Sequence, residues 1–263
     1  LTYFDGCEDL PDGRIRIGSE TTRIAAFPIG IDARAFAETA AEAPSPVRLV
    51  EDSALMVGVD RLDYSKGLPN RFRAFGRLLD QRPDLAGRLS LLQIAPPTRE
   101  DVLAYQSIRE ELEALAGHIN GAHADLNWTP IRYIHRSVPR EALAGIYRQA
   151  RIGLVTPLAD GMNLVAKEYV AAQDPEDPGV LILSRFAGAA EQMGDSALIV
   201  NPYDPDDMAS AMVTALWMLP HERKARHKAL MEGLVTRDTA WWGQSFLDAL
   251  DAAARRNGLT LAS

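Results

Sequence analysis

Residues 152–184 read IGLVTPLADGMNLVAKEYVAAQDPEDPGVLILS, and the order of parts in this stretch decides the fold. IGLVT (152–156) is a short unbroken apolar run, the pattern of a strand covered on both faces. Pro157 closes it. Asn163 to Gln173 then reads as a helix, and the DPEDPG loop (174–179) stops it. GVLILS (179–184) is a second buried-strand run. Strand, helix and strand in this compass form a βαβ unit, which requires a parallel pair.

The same alternation extends both ways. SALMVGV (53–59), LSLLQI (89–94), IRYIH (131–135) and ALIVN (197–201) are further strand candidates. Phe72, Phe75, Leu78 and Leu79 recur at helical spacing, and Val102, Tyr105, Ile108, Leu112 and Leu115 form a stripe on a helix over about 100–117. EALAGIYRQA (141–150) is another helix, and three amphipathic helices follow at about 205–219, 221–235 and 239–255. Residues 36–50 begin as a helix and loosen around APSPV, whereas GRIRIGSETTRIAAF (13–27) allows short paired strands. The expected class is α/β, a Rossmann-like parallel sheet with helices on both faces. Ligands of such sheets bind beyond the carboxyl ends of the strands, so the loops after Val59, Ile94 and Thr156 are the first candidates.

In the loop GVDRLDYSKGLPNRF, Arg61 and Lys66 emerge from a strand end beside a helix start. A planar fork and a mobile ammonium together could clamp a diphosphate. The same two charges fit a solvated surface equally well, and no GxxxxGK[ST] phosphate loop is present. In QIAPPTREDVLAY, Arg99 stands in the first turn of a helix, where the helix dipole disfavours a cation. Gripping an anion would explain it; so would a salt bridge to Glu100 or Asp101. The third loop sets Asp160-Gly161 against a helix opening on Met162, Asn163, Leu164 and Val165. Unpaired amides at a helix start suit a phosphate, and Gly161 would let a backbone approach closely. Glu168, with seven residues between it and Asp160, could accept two adjacent hydroxyls such as those of a ribose. Lys167 should point elsewhere, since helix neighbours diverge by about 100°.

FAGAAEQMG (186–194) reads as close packing of a helix on a sheet. His118, His123, His135, His221 and His227 have no ligand spacing, with His221 and His227 on a helix taken to lie at the surface, and no metal site is expected. Trp241 and Trp242 read as an anchor onto another surface.

The 263 residues are 47% hydrophobic, enough for a sizeable core. A net charge of −8 and a pI near 5.2 argue against a nucleic-acid partner. The lone Cys7 fits a reducing compartment, and no apolar run reaches the roughly 18 residues of a membrane span. A cytoplasmic protein is expected. The chain begins at Leu1 without a methionine, which suggests missing upstream sequence.

VDRLDYSKGLPNR (59–71), QIAPPTRED (93–101), HINGAHADLNWTPI (118–131), LVTPLADGMNLVAKEYVAAQ (154–173) and SRFAGAAEQMGDSALIVNPYD (184–204) closely resemble the trehalose-6-phosphate synthase family. The resemblance runs from about Phe27 into the last helices. It implies the C-terminal half of a retaining GT-B glycosyltransferase, with glucose moved from UDP-glucose to glucose 6-phosphate and no cofactor or metal needed. It also implies that Arg61 and Lys66 hold the diphosphate, that Asp160 binds glucose hydroxyls, and that backbone amides from Gly161 through Met162, Asn163, Leu164 and Val165 meet glucose and phosphate. Glu168 would take the ribose and Arg99 the acceptor phosphate, while Arg61, Lys66 and Asp160 would carry the catalysis. On this basis residues 1–32 are a remnant of, or linker from, a missing N-terminal domain. Residues 33–238 are the nucleotide-sugar-binding domain, and 239–263 are a helix crossing back toward the missing part. Such a chain would be inactive alone, with a homo-oligomer possible. A relative with another acceptor (glucosylglycerol-phosphate synthase or a cyclitol-coupling pseudo-glycosyltransferase) and a non-catalytic sugar-nucleotide sensor are the alternatives. The base of the sugar nucleotide (uracil, guanine or adenine) is open in the residues themselves.

Overall fold

The computed structural model describes residues 6–50, 52–98 and 103–256. They divide into two compact units, residues 30–241 and a smaller one formed by the stretches up to 29 and from 242 onward.

The larger unit is built on a six-stranded sheet. Its strands are β4 (Ala54–Val59), β5 (Leu89–Ile94), β6 (Ile131–Ile134), β7 (Ile152–Val155), β8 (Val180–Ser184) and β9 (Leu198–Val200). All pair in parallel, in the order β6-β5-β4-β7-β8-β9. This is the doubly wound order, whose switch point falls between β4 and β7. The strands are apolar throughout because both faces are covered. Met56, Leu91, Leu154 and Ile182 pack on one side against α2 (Leu68–Gln81), α3 (Leu103–His123) and α7 (Pro205–Trp217), through Phe72, Phe75, Leu112 and Met208. Val57, Leu92, Val155 and Leu183 pack on the other against α1 (Ala33–Glu42), α4 (Arg140–Gln149), α5 (Leu164–Ala172) and α8 (Pro220–Thr236), through Phe36, Tyr147, Tyr169 and Leu230. The expected parallel sheet with helices on both faces is therefore the fold of this unit.

Several boundaries differ from the sequence reading. α1 ends at Glu42, just before the Pro44 and Pro46 that a helix could not carry. α3 runs to His123, past Gly117 and Gly121. Each glycine disfavours helix by about 1 kcal/mol, but buried Ile119 seats on Gly76, where a Cβ would lie 3.1 Å from its Cδ1. Asn120 then pins the helix end to β6, accepting from Ile131 N at 2.9 Å and donating to its carbonyl at 3.0 Å. Val102, assigned to the stripe of this helix, lies outside the described residues. α8 is not simply a surface helix: His227 is buried with its Nε2 3.2 Å from the Val170 carbonyl, and burial lowers its pKa. His221 remains exposed.

In the smaller unit, β1 (Cys7–Leu10), β2 (Arg14–Ile17) and β3 (Glu20–Arg23) form an antiparallel meander. The helix α9 (Thr239–Arg256) starts in the larger unit and continues in this one. Trp242, read as part of an anchor onto another surface, is half-buried. Its Nε1 donates to the Phe27 carbonyl at 3.0 Å, and Phe27 meets Phe246 edge-on.

Gly153, in the middle of β7, faces the Tyr169 ring, and a Cβ there would come within 2.6 Å of it. Both are held in the core, and the Tyr169 hydroxyl donates to Ala150 O at 3.1 Å. Gly153→Ala should overpack this contact and lower the unfolding free energy by about 1–3 kcal/mol. Urea denaturation of the two proteins checks it; equal midpoints would mean that Tyr169 can move aside.

Candidate functional site

The carboxyl ends of β4 and β7 diverge at the switch point, and the loops leaving them carry most of the residues singled out from the sequence. After β4 the chain makes a 3-10 turn at Tyr64–Lys66, opened by Asp63, whose carboxylate accepts from Ser65 N at 2.8 Å. Gly67 then takes φ +65°, a conformation that favours glycine, and a Cβ would also crowd the Thr156 carbonyl. α2 starts directly after it.

After β7 the chain crosses this turn. Leu158 N and Ala159 N both donate to Ser65 O, at 2.7 and 3.2 Å. It is then held from the other side by the loop after β8. Asp160 N donates to Phe186 O at 3.1 Å, Gly188 N to Asp160 O at 2.9 Å, and Ala189 N to Met162 O at 2.8 Å. A Cβ on Gly188 would collide with the Gly161 carbonyl, so the FAGAAEQMG stretch packs on the site loop as well as into the core beside the sheet, through Ala187, Ala189 and Met193. Its helix, α6, is a single turn, Ala190–Met193.

These anchors bring Lys66 and Asp160 together. Lys66 Nζ lies 2.5 Å from Asp160 Oδ2, with both side chains mostly covered. Asn163 Nδ2 donates to the same oxygen at 3.0 Å, and Met162 N reaches Oδ1 at 3.4 Å. Asn163 is buried with φ +76°, strained for a residue with a side chain, and its Oδ1 has no hydrogen-bond partner among the described residues. It precedes α5, which therefore begins at Leu164, one residue later than the sequence suggests. The amides of Leu164 and Val165 stand in the first turn, where an α-helix leaves its N–H groups unpaired.

A Cβ added to Gly161 would meet nothing within 4 Å, and its φ is not positive. No neighbour among the described residues requires glycine there, and the space beside it is open. Arg61 is exposed at the end of β4, and its side chain makes no hydrogen bond or ion pair with the described residues. Glu168 is half-buried one turn into α5 and receives no hydrogen bond from the described residues. Burial raises its pKa, against the pull of Arg140. Arg99 lies outside the described residues. Lys167 does point away from the site: it is buried, and its Nζ donates to Gln192 Oε1 at 2.7 Å.

Sequence reasoning missed what lies beneath. Arg71 is fully buried, with Nη1 2.7 Å from both Asp60 Oδ2 and Gln93 Oε1, and Nε 3.0 Å from Thr156 Oγ1. Burial pushes the Asp60 carboxyl up, and Arg71 pulls it down. Two signals were available: Asp60 and Gln93 interrupt or close apolar strands, and Gly58 leaves room where a Cβ would meet Arg71 Nη1 and Gln93 Oε1.

Residues 6–252 match the sequence profile of glycosyltransferase family 20. A trehalose-6-phosphate synthase of Sodalis glossinidius (strain morsitans) is 50% identical over 255 residues, 95% of this chain and 54% of that protein. A UDP-forming α,α-trehalose-phosphate synthase from Burkholderia xenovorans, solved in complex with glucose-6-phosphate, is 52% identical with a TM-score of 0.88, covering 92% of this chain and 55% of that one. A trehalose-6-phosphate structure from E. coli bound with UDP-2-fluoro glucose is 43% identical with a TM-score of 0.86, covering 93% and 55%. The chain thus spans about half the length of the relatives it matches.

Burial, with Arg237 adding to it, lowers the Lys167 ammonium to about 8. Between that value and the ordinary lysine range the unfolded chain binds more protons than the folded one, so unfolding free energy rises with pH. Lys167→Met lacks this titration. The native chain should therefore gain stability relative to the variant as pH rises from about 8 toward 10. Paired denaturation curves at pH 7 and pH 10 measure it, and a pH-independent difference would show an ammonium that is not desolvated.

Proposed function

The chain belongs to glycosyltransferase family 20, and on that premise we propose that it supplies the UDP-glucose site of a trehalose-6-phosphate synthase. The reaction is glucosyl transfer to glucose 6-phosphate with retention, giving trehalose 6-phosphate and UDP. The observation that carries this reading is the Lys66–Asp160 pair at the switch point. A diphosphate-binding cation and a hydroxyl-binding carboxylate are already in contact there, beside the start of α5.

Each group has a role that its surroundings support. Arg61, exposed and unpaired among the described residues, and Lys66 take the diphosphate. Their charge matters most when the bond to the sugar breaks and the leaving oxygen becomes more negative. The amides at the start of α5 add partial positive charge. Asp160 accepts from glucose hydroxyls, with Asn163 Nδ2 donating to its Oδ2 and holding the carboxylate in place. Glu168, half-buried and without a protein donor among the described residues, accepts the ribose hydroxyls.

In the transfer step the acceptor hydroxyl attacks the anomeric carbon from the face that UDP leaves. The carbon–oxygen bond to the β-phosphate breaks, the new glycosidic bond forms, and the hydroxyl proton passes to the departing phosphate oxygen. Configuration is kept without a protein nucleophile, unlike glycosidases that hold two carboxyl groups about 5–5.5 Å apart. With about half of its relatives' length present, this chain binds the sugar nucleotide and leaves turnover to the full-length protein. The Arg99 role toward the acceptor phosphate rests on the sequence resemblance.

Calorimetric titration with UDP-glucose, UDP and GDP-glucose tests the reading. Saturable binding of UDP-glucose is expected, weakened at least about tenfold by Arg61→Ala or Glu168→Ala. Hydroxyls bond best to an ionised carboxylate, so affinity for UDP-glucose should rise as pH passes upward through the raised Glu168 pKa and then level off. Glu168→Gln should flatten that profile. A folded chain that binds none of the three nucleotides would overturn the proposal.

A further inference from the structure

Arg71 touches the stem of each loop that carries the site. Its guanidinium bonds to Asp60, the residue before Arg61, and to Thr156, at the root of the segment leading to Asp160. It also bonds to Gln93 at the end of β5, while its main-chain N–H donates to Gly67 O at 3.1 Å, directly after Lys66. One side chain thus spans β4, β5 and β7 with no exposure to solvent.

We infer that Arg71 is a positioning residue for the sugar-nucleotide site, setting the spacing between the Arg61–Lys66 loop and the Asp160–Glu168 segment. This rests on the function proposed above. The chemistry requires arginine: a planar fork meets acceptors in fixed directions, whereas a lysine of equal charge has one mobile point of contact. A strut needed only for stability has cheaper solutions, because well-packed apolar side chains often replace buried ion pairs at no loss of stability. What the polar solution adds is direction, since each acceptor sits on a different strand end.

The sharpest variant is Thr156→Val, which keeps the shape of the side chain and the Arg71–Asp60 pair but removes one acceptor. UDP should bridge the two loops through its diphosphate and ribose, whereas uridine should engage only the Glu168 side. Thr156→Val is expected to weaken UDP about tenfold and uridine less than about twofold, with thermal unfolding still cooperative at a lower midpoint because the buried Arg71 Nε loses an acceptor. Arg71→Lys should show the same selectivity with a larger loss; if it does not fold, Thr156→Val carries the test. Unchanged UDP affinity in Thr156→Val, or equal losses for UDP and uridine, would overturn the inference and leave Arg71 a core strut. Arg61→Ala, run alongside, separates the two levels. If it leaves UDP affinity unchanged, the site has been misread and this inference falls with it.

Discussion

Arg71 is charged, fully buried, and bonded to one acceptor from each of Asp60, Gln93 and Thr156. Leaving a buried charge unpaired costs about 3–5 kcal/mol, so the strand ends that provide these acceptors are tied to one another. Gly58 and Gln93 are direct partners in the β4–β5 register, and the absent side chain at 58 is where the guanidinium and the Gln93 amide meet. Sliding β4 by one residue would put a side chain into that space and turn Asp60 out of it. Register, loop origin and site geometry therefore depend on one another through a single side chain.

How far the sequence was legible follows from the range of each interaction. The strands could be read because burial on both faces leaves an unbroken apolar run, as in VLILS (180–184). The site loops could be read because strand ends, glycines and isolated charges are local features, as with Arg61, Lys66 and Asp160. The Lys66–Asp160 contact was not legible, since nothing in either loop states that β4 and β7 are neighbours until the strand order is known. Arg71 was hidden for a related reason: in LPNRFRAF its position looks like the polar face of an amphipathic helix. Only the sheet above it shows that this face is buried. His227 misled the same way, because a helix rich in Lys and Arg conceals a buried side that contains polar groups.

The start of α5 illustrates how a strained conformation is kept. Asn163 holds a left-handed backbone and a buried oxygen without a partner among the described residues, each unfavourable by about 1–3 kcal/mol. Neighbouring hydrogen bonds offset this: Ser65 O grips the incoming segment, and the 186–189 loop clamps Asp160 and Met162 from the far side. Relaxing Asn163 would mean breaking several of these together. The helix start is consequently rigid before any ligand arrives, and rigid amide donors lose little on binding.

The Lys66–Asp160 pair also compensates both of its own charges within the protein. A small inorganic anion that reached Lys66 would draw the ammonium away and strand a partly covered carboxylate without its counter-charge. The attraction gained at one end would be offset in part by the loss at the other. A ligand that carries an anion for Lys66 and, at the right separation, hydroxyls for Asp160 avoids that loss. On the proposed reading, the pair favours a ligand that satisfies both partners over one that satisfies Lys66 alone.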